Sequence, residues 1–174
     1  MKNGIIVDKN TGQVSVMQPA PNARTAAESE DNFMLRTNGK VLKDKNKKHV
    51  EDYKIQPGAV PMREHRNAWE IDVNTGKVVV NMAKAHAIKK RALFQKWQQA
   101  KRLVDETLEF AAAFGDQVAI KFLTTEQTRV AKIPLEIKTE LDRFLADGDE
   151  GSLGHFEPTW PDLTSTGLVE AAER

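Results

Sequence analysis

Apolar and polar residues alternate in short runs near the N-terminus and recur at helical spacing in the second half of the chain. Runs rich in β-branched residues at 5–8 and 13–17 flank Asn10-Thr11-Gly12, and this pattern predicts a β-hairpin or a strand pair closed by a short loop. Residues 69–80 give the clearest hairpin, because apolar residues alternate on both sides of Asn74-Thr75-Gly76. The N-terminal part of the chain is therefore predicted to be built of β-hairpins.

Three further segments lie between these two hairpins. Residues 17–32 carry two prolines and many small polar residues, which favours a linker or an extended arm. Residues 33–44 place Asn38-Gly39 between two apolar runs, so another hairpin is expected there. The highly charged residues 43–54 predict a solvated loop or a strand edge.

From Met82 the chain is rich in good helix formers, and it contains no glycine or proline until Gly115. We therefore predict a helix of about 30 residues that ends at this glycine. Apolar residues spaced three or four apart form one stripe along it: Leu93, Trp97, Ala100, Val104, Leu108 and Ala111.

The next part of the chain predicts two shorter helices. The first runs from Thr124 to Ile133, with Thr124 or Thr125 as its N-terminal cap and Pro134 as its end. The second begins at Pro134 and stops at Gly148. Residues 149–174 are punctuated by glycine, proline and serine, and an extended tail is expected there.

Together these patterns predict an α+β fold. We expect a β-hairpin region at 1–81 that includes the arm, a helical region at 82–148 and an extended tail at 149–174. The helical region is expected to hold one long helix and one or two shorter ones.

Composition narrows the possible functions. Twenty-six basic and 25 acidic residues leave a net charge of +1, which argues against attraction of the whole protein to nucleic acid or an anionic membrane. Cysteine is absent, so thiolate chemistry and cysteine-ligated zinc are excluded. The sequence shows neither an apolar leader segment nor a stretch long enough to span a membrane, and synthesis as a soluble cytoplasmic protein is expected.

An Asp-x-Asn-Thr-Gly stretch occurs twice, beginning at Asp8 and at Asp72, and it could either bind a metal or turn the chain. A calcium loop of the EF-hand type needs glycine at position 6 and an acidic ligand at position 12. Here glycine falls at position 5, and Pro19 or Ala83 falls at position 12. We interpret both copies as turns, in which Asp accepts backbone N–H groups and Gly takes a positive φ. No metal or cofactor is predicted.

The first part of the long helix is a candidate binding surface. Residues 82–104 contain seven basic residues and no acidic one, with Lys89, Lys90 and Arg91 adjacent. The basic residues of such a helix can bind phosphates, but they can also form a face that is solvated or that binds a protein. We favour the protein-binding or solvated reading, and binding of nucleic acid through residues 84–102 stays an alternative.

Trp97, Phe156 and Trp160 are candidate interaction residues. Trp160 is framed by two prolines, and a stiff aromatic of this kind loses little entropy when it docks on a partner. The four histidines show no metal-ligand spacing, and no phosphate-binding or nucleophile motif is present. An enzyme is the least supported class.

The order of features from residue 76 onward resembles a family of small proteins encoded among the tail genes of tailed bacteriophages, described as tail assembly chaperone-like or tail-fibre-associated. The matching segments are "GKVVVNMAKAHAIKKRALFQKWQQAKRLVDETLEFAAAFGD", the helical stretch ending "RVAKIP" and the closing "PTWPDL". The positions that carry the resemblance are Val80, Met82, Lys84, Ala85, Gly115, Asp116, Arg129, Ile133, Pro134, Trp160 and Pro161.

This resemblance covers a little over half of the chain, and the run "VAIKFLTT" and the N-terminal residues depart from it. It implies a non-enzymatic protein of the virion tail or tail fibre, synthesised in the host cytoplasm and oligomeric within an assembly. Its partners would be other tail or tail-fibre proteins. The alternative within the same class is a transient assembly chaperone that leaves before the virion is complete.

Overall fold

The computed structural model describes residues 2–8, 13–17, 28–29, 32–33, 36, 50–57 and 61–163. The chain divides into two compact units, one that extends to Ala85 and one that begins at His86. All described strands lie in the first unit, and two long helices with one short helix follow them. The predicted α+β fold is confirmed.

The first sheet is antiparallel and has the strand order β2-β1-β3. Its strands are β1 (Lys2–Asp8), β2 (Val14–Met17) and β3 (Val50–Pro57). Ile5 pairs with Val16, and the N–H of Asp8 donates to the carbonyl of Gln13 at 3.0 Å. The two strands of the first predicted hairpin are therefore confirmed, and its turn at 9–12 lies outside the described residues.

The segments between the two hairpins differ in part from the prediction. From Val50 the charged run forms β3, which is an edge strand of the sheet as expected. Asn32, Phe33 and Arg36 are helical, so the strand predicted to begin at Phe33 is wrong. The physical reason is a cap, because the Ser29 hydroxyl accepts the N–H of Asn32 and the Ser29 carbonyl accepts that of Phe33. Residues 18–27, 30–31, 34–35 and 37–49 of these predicted segments lie outside the described residues.

The second hairpin consists of β4 (Trp69–Ile71) and β5 (Val78–Val80), preceded by a 3₁₀ helix at Arg63–Ala68. Trp69 pairs with Val80, and both side chains are buried. This hairpin was predicted from the alternation of apolar residues and is confirmed.

The long helix α1 spans Met82–Phe114. The Asn81 side chain caps its start by accepting the N–H of Lys84 at 2.9 Å, and Gly115, with φ of 69°, follows its last residue. The predicted helix and its stop are confirmed. Asp116 then caps the next helix, since its carboxylate accepts the N–H groups of Val118 and Ala119.

Helix α2 spans Gln117–Asp147 and lies antiparallel to α1 in a helical hairpin. Contacts that lie nearer the start of α1 lie nearer the end of α2: Trp97 bonds Val130 at mid-helix, and His86 bonds Asp142. The buried residues of α2 follow one face at steps of three and four: Ala119, Leu123, Glu126, Val130, Ile133, Ile137, Leu141 and Phe144. On α1 the predicted stripe is buried at Leu93, Val104 and Ala111 and half-buried at its other positions.

The prediction of two helices separated at Pro134 is wrong, because α2 runs through this proline. Proline lacks an N–H, so the carbonyl of Val130 loses its partner four residues later in the helix. The indole N–H of Trp97 donates to this carbonyl at 3.0 Å. Thr124 and Thr125 are not caps either, since their hydroxyls donate to carbonyls of the preceding turn.

The C-terminal part contains a short helix, α3 (Glu150–His155), that the prediction of an extended tail missed. The Asp149 carboxylate caps it by accepting the N–H of Ser152 at 2.9 Å. Residues 156–163 follow without regular secondary structure, as expected for an extended tail. Residues 164–174 lie outside the described residues.

Candidate functional site

The C-terminal residues 156–163, here called the docked segment, lie against the helical hairpin. Phe156 meets the edge of the Phe144 ring, with the ring centroids 5.8 Å apart, and Leu163 is buried. Trp160 donates its indole N–H to Glu157 at 3.0 Å. Two of the predicted interaction residues, Phe156 and Trp160, therefore make contacts within the chain.

Polar contacts from both long helices hold the docked segment. From α1, Lys96 donates to the Glu157 carboxylate at 2.7 Å, and Lys89 donates at 2.9 Å to the carbonyl of Gly154 in α3, just before the segment. From α2, Arg129 donates to the carbonyl of Trp160 at 2.8 Å. The segment thus joins the two helices on one side of the hairpin.

Burial and hydrogen bonds shift the pKa values of two charged groups beside the docked segment, Lys89 and Glu157. Burial lowers the pKa of the Lys89 ammonium, although the nearby Glu157 opposes the shift. Partial burial acts to raise the pKa of Glu157, but hydrogen bonds from Lys96 and Trp160 outweigh it and leave that pKa below its ordinary value. Glu157 is therefore an ionised anchor at neutral pH.

The basic part of α1 is largely occupied by contacts within the chain. Besides Lys89 and Lys96, Lys101 bonds Asp105 and Arg102 bonds Glu106 at i,i+4 spacing. Lys90 is half-buried and Arg91 is exposed. Four of the seven basic side chains of residues 82–104 thus have partners within the chain. Fewer of them are available to bind a phosphate or a partner protein than the sequence indicated.

Trp97, the third predicted aromatic, lies inside the hairpin. Its indole reaches the Val130 carbonyl, and its ring meets the edge of Phe94 at a centroid distance of 5.8 Å. The bond to Val130 joins the two helices, and the ring contact with Phe94 lies within α1.

The bend of the hairpin carries apolar side chains that the sequence analysis missed. The side chains of Phe114 and Val118 are 73% and 82% exposed on the two sides of Gly115. The Phe110 and Phe114 rings lie in contact, with centroids 4.6 Å apart. We call Phe110, Phe114 and Val118 the apolar tip. The sequence does contain a signal for the apolar tip, since two phenylalanines four residues apart precede the predicted helix stop at Gly115. Neither of them belongs to the apolar stripe predicted along α1.

The second Asp-x-Asn-Thr-Gly stretch turns the chain as predicted. The Asp72 carboxylate accepts the N–H groups of Asn74 and Thr75 at 2.7 and 3.1 Å, and these bonds lower its pKa. Gly76 has φ of 65° and donates to the carbonyl of Asp72. The turn at 9–12 of the first copy lies outside the described residues.

Within the described ranges, no cluster of three or more histidine, aspartate or glutamate side chains is placed to hold a metal ion. No described helix combines the length and apolar character needed to cross a membrane. The chain matches no protein-family model, no curated protein and no solved structure.

Proposed function

We propose that this protein is a non-enzymatic structural component of a tailed-phage virion, in or attached to the tail or tail-fibre apparatus. It acts there by binding other tail proteins. The sequence resemblance supports this proposal. Several of the positions that carry the resemblance make specific contacts or turns in the fold. Gly115 and Asp116 form the bend of the hairpin, and Arg129 bonds the carbonyl of Trp160.

The apolar tip is the observation that carries the proposal. Burying a side chain such as phenylalanine or valine stabilises a protein by about 1.5–3 kcal/mol, and Phe114 and Val118 forgo most of this in the isolated chain. Exposed apolar patches often mark sites of protein–protein contact, and these two exposed side chains lie on the two sides of one bend. We propose that the tip inserts into an apolar groove of a neighbouring tail protein.

The helical hairpin is suited to present such a tip. At about 1.5 Å per residue, the 33 residues of α1 extend about 50 Å. The bend itself is fixed by Gly115 and by the cap at Asp116. A rigid, pre-formed contact of this kind loses little conformational entropy on binding.

Quantitative mass spectrometry of purified virions of the encoding phage tests the proposal. A structural component is present in a constant copy number per particle. If the protein is absent from virions, the structural proposal is wrong. Absence from virions combined with failed tail assembly in a deletion strain would instead establish the transient chaperone.

A double substitution tests the role of the tip. Phe114→Ser with Val118→Ser should abolish incorporation into tails and leave the circular dichroism spectrum unchanged, because both side chains are exposed. Val73→Ser is the matched control, since Val73 is 93% exposed in the turn of the second β-hairpin. Normal incorporation of the tip variant, or equal loss in the control, would contradict the assignment.

A further inference from the structure

Helix α1 has a second face, about a third of a turn away from the stripe that faces α2. Along it, residues recur at steps of three and four from Ile88 to Phe110, the spacing of one side of a helix. Ile88 and Leu103 are 41% and 46% exposed, and Phe110 is half-buried at the end of the face. A helix face with exposed large apolar side chains is suited to bury them against another surface.

This outer face is symmetric about Gln99. Its other residues form three pairs that lie four, seven and eleven positions on either side of it: Gln95 and Leu103, Ala92 and Glu106, and Ile88 and Phe110. A second, antiparallel copy of α1, with a two-fold axis at Gln99, would therefore place the two members of each pair opposite one another. Ile88 would meet Phe110 of the second copy. The two Gln99 amides, each with donors and an acceptor, would face one another.

Two charges beside the outer face favour this antiparallel arrangement. Arg91 and Glu109 are both exposed, and neither has an ion pair in the part of the chain that the structure describes. They are 18 residues apart, which is five turns of about 3.6 residues, so they lie along the same side of the face. In the antiparallel pair, Arg91 of one copy lies beside Glu109 of the other, offset by about 3 Å along the helix axis. The two-fold axis makes this contact twice.

The charge pattern of the whole helix favours the same direction. The basic residues of 82–104 are followed by Asp105, Glu106 and Glu109. An antiparallel pair places the basic part of each copy against the acidic end of the other. A parallel pair would place Arg91 beside Arg91 and Glu109 beside Glu109, and such like-charge contacts disfavour association.

We propose that two copies of this chain associate through their outer faces, as a dimer in which the two α1 helices run antiparallel. The contact buries Ile88 and Leu103 of both copies and pairs Arg91 with Glu109 twice. Two-fold dimers use the same surface on both subunits, and the outer face is self-complementary in this sense. It uses neither Phe114 nor Val118, so the proposal does not rest on the role of these two side chains or on the tail assignment.

Sedimentation velocity of the purified full-length chain over a concentration series tests the proposal. We expect a reversible monomer–dimer equilibrium. Ile88→Ser with Leu103→Ser should weaken it at least about tenfold, because apolar side chains are lost from the centre and the ends of the contact. The circular dichroism spectrum should keep its helical signal, since both side chains are exposed. Leu135→Ser is the matched control, because Leu135 is 69% exposed on α2.

Two outcomes of this experiment would overturn the proposal. The first is a chain that stays monomeric at every concentration, which would leave the outer face to a different protein. The second is a dimer that the double serine variant weakens no more than the control does, which would place the contact elsewhere on the chain.

A charge exchange tests the pairing of the two copies. Arg91→Glu and Glu109→Arg should each weaken the dimer roughly tenfold, because each brings like charges together twice. Both substitutions in one chain should restore the affinity, since the same pairs form with their signs exchanged. Lys121→Glu at an exposed lysine of α2 is the control for net charge. Failure of the double variant to restore the dimer would contradict the antiparallel pairing.

Introduced cysteines report the direction of the helices, because the chain has no cysteine of its own. Gln99→Cys should form a disulfide-linked dimer under mild oxidation, because the two-fold axis places position 99 beside itself. Arg91→Cys should not, because the two copies of position 91 would lie about 24 Å apart along the axis, beyond the reach of a disulfide. A disulfide-linked dimer of Arg91→Cys but not of Gln99→Cys would refute the antiparallel dimer.

Discussion

Trp97 donates its indole N–H to the one carbonyl of α2 that Pro134 leaves without a helical partner, that of Val130, at 3.0 Å. A proline inside a helix ordinarily destabilises it by about 3 kcal/mol. A side chain of the neighbouring helix replaces the missing donor here, so one continuous helix passes through the proline.

The first prediction concerns this relationship. Trp97→Phe keeps a large aromatic ring but removes the donor, which leaves the Val130 carbonyl unpaired. We expect a loss of about 1–3 kcal/mol in the free energy of unfolding. Urea denaturation followed by circular dichroism at 222 nm measures it.

Pro134→Ala provides the control, because alanine restores an N–H four residues after Val130. In this background Trp97→Phe should lose less stability, and a double-mutant cycle gives the difference. If Trp97→Phe lowers the free energy of unfolding equally in both backgrounds, the indole does not stabilise α2 by pairing with the Val130 carbonyl.

The second prediction uses two leucines of the same helix. Leu141 is 0% exposed and Leu135 is 69% exposed. Leu141→Ala should destabilise the protein by about 2–5 kcal/mol, because it leaves a cavity. Leu135→Ala should change stability by no more than about 0.5 kcal/mol. Thermal or urea unfolding of the two variants measures the contrast, and equal losses would mean that the buried face of α2 is misassigned.

Periodicity and turn residues predicted much of this fold. The hairpin at 69–80 and α1 follow from local patterns, and both are confirmed. Local rules failed at Pro134, because its effect is offset by Trp97, which lies 37 positions earlier in the chain. They also failed at Phe33, where a serine cap decided the conformation.

The candidate sites were less accessible to sequence reasoning. The sequence indicates Phe156 and Trp160 as interaction residues. No local pattern predicts that Phe144 and Arg129 contact the docked segment. The apolar tip depends on which side of each helix the partner helix leaves uncovered. That is a property of the pair and not of either sequence stretch alone.

The third prediction concerns pH. The pKa of Glu157 in the fold lies below its ordinary value of about 4.5. A depressed carboxyl pKa means that the ionised group stabilises the fold above about pH 4.5, and that this contribution is lost as the pH falls through the folded value. The docked segment should therefore loosen in acid below pH 4.5.

The indole N–H resonance of Trp160, which bonds Glu157, reports this loosening. It should move with a midpoint below pH 4.5, and the transition should disappear in Glu157→Gln. The indole of Trp97, which bonds a main-chain carbonyl, serves as the internal reference. A midpoint above 4.5 for Trp160 would contradict the prediction.

The fourth prediction concerns the bend. Gly115 has φ of 69°, and a Cβ placed there would meet no atom within 4 Å, so any penalty comes from the backbone alone. Gly115→Ala should cost about 1–2 kcal/mol of unfolding free energy. Gly115→Asn should cost less, because asparagine tolerates this conformation better.

Gly151, which lies in α3, is the control for the bend. A Cβ there would be 3.5 Å from the Asp149 carboxylate, an ordinary contact, and its φ is not in the left-handed region. Gly151→Ala should be neutral or stabilise by about 0.5–1 kcal/mol. Unfolding curves for the three variants test the order, and a loss at position 151 as large as at position 115 would contradict it.

The spacing of the buried residues on α2 has a mechanical consequence. From Ala119 to Ile133 they repeat every seven residues, and the steps of four, four and three from Ile133 to Phe144 insert one extra four-residue step, a stutter, into that pattern. Seven-residue repeats wind a helix pair into a left-handed supercoil, and a stutter unwinds it locally. The pair is therefore expected to coil near its bend and to unwind toward the other end, which α3 follows.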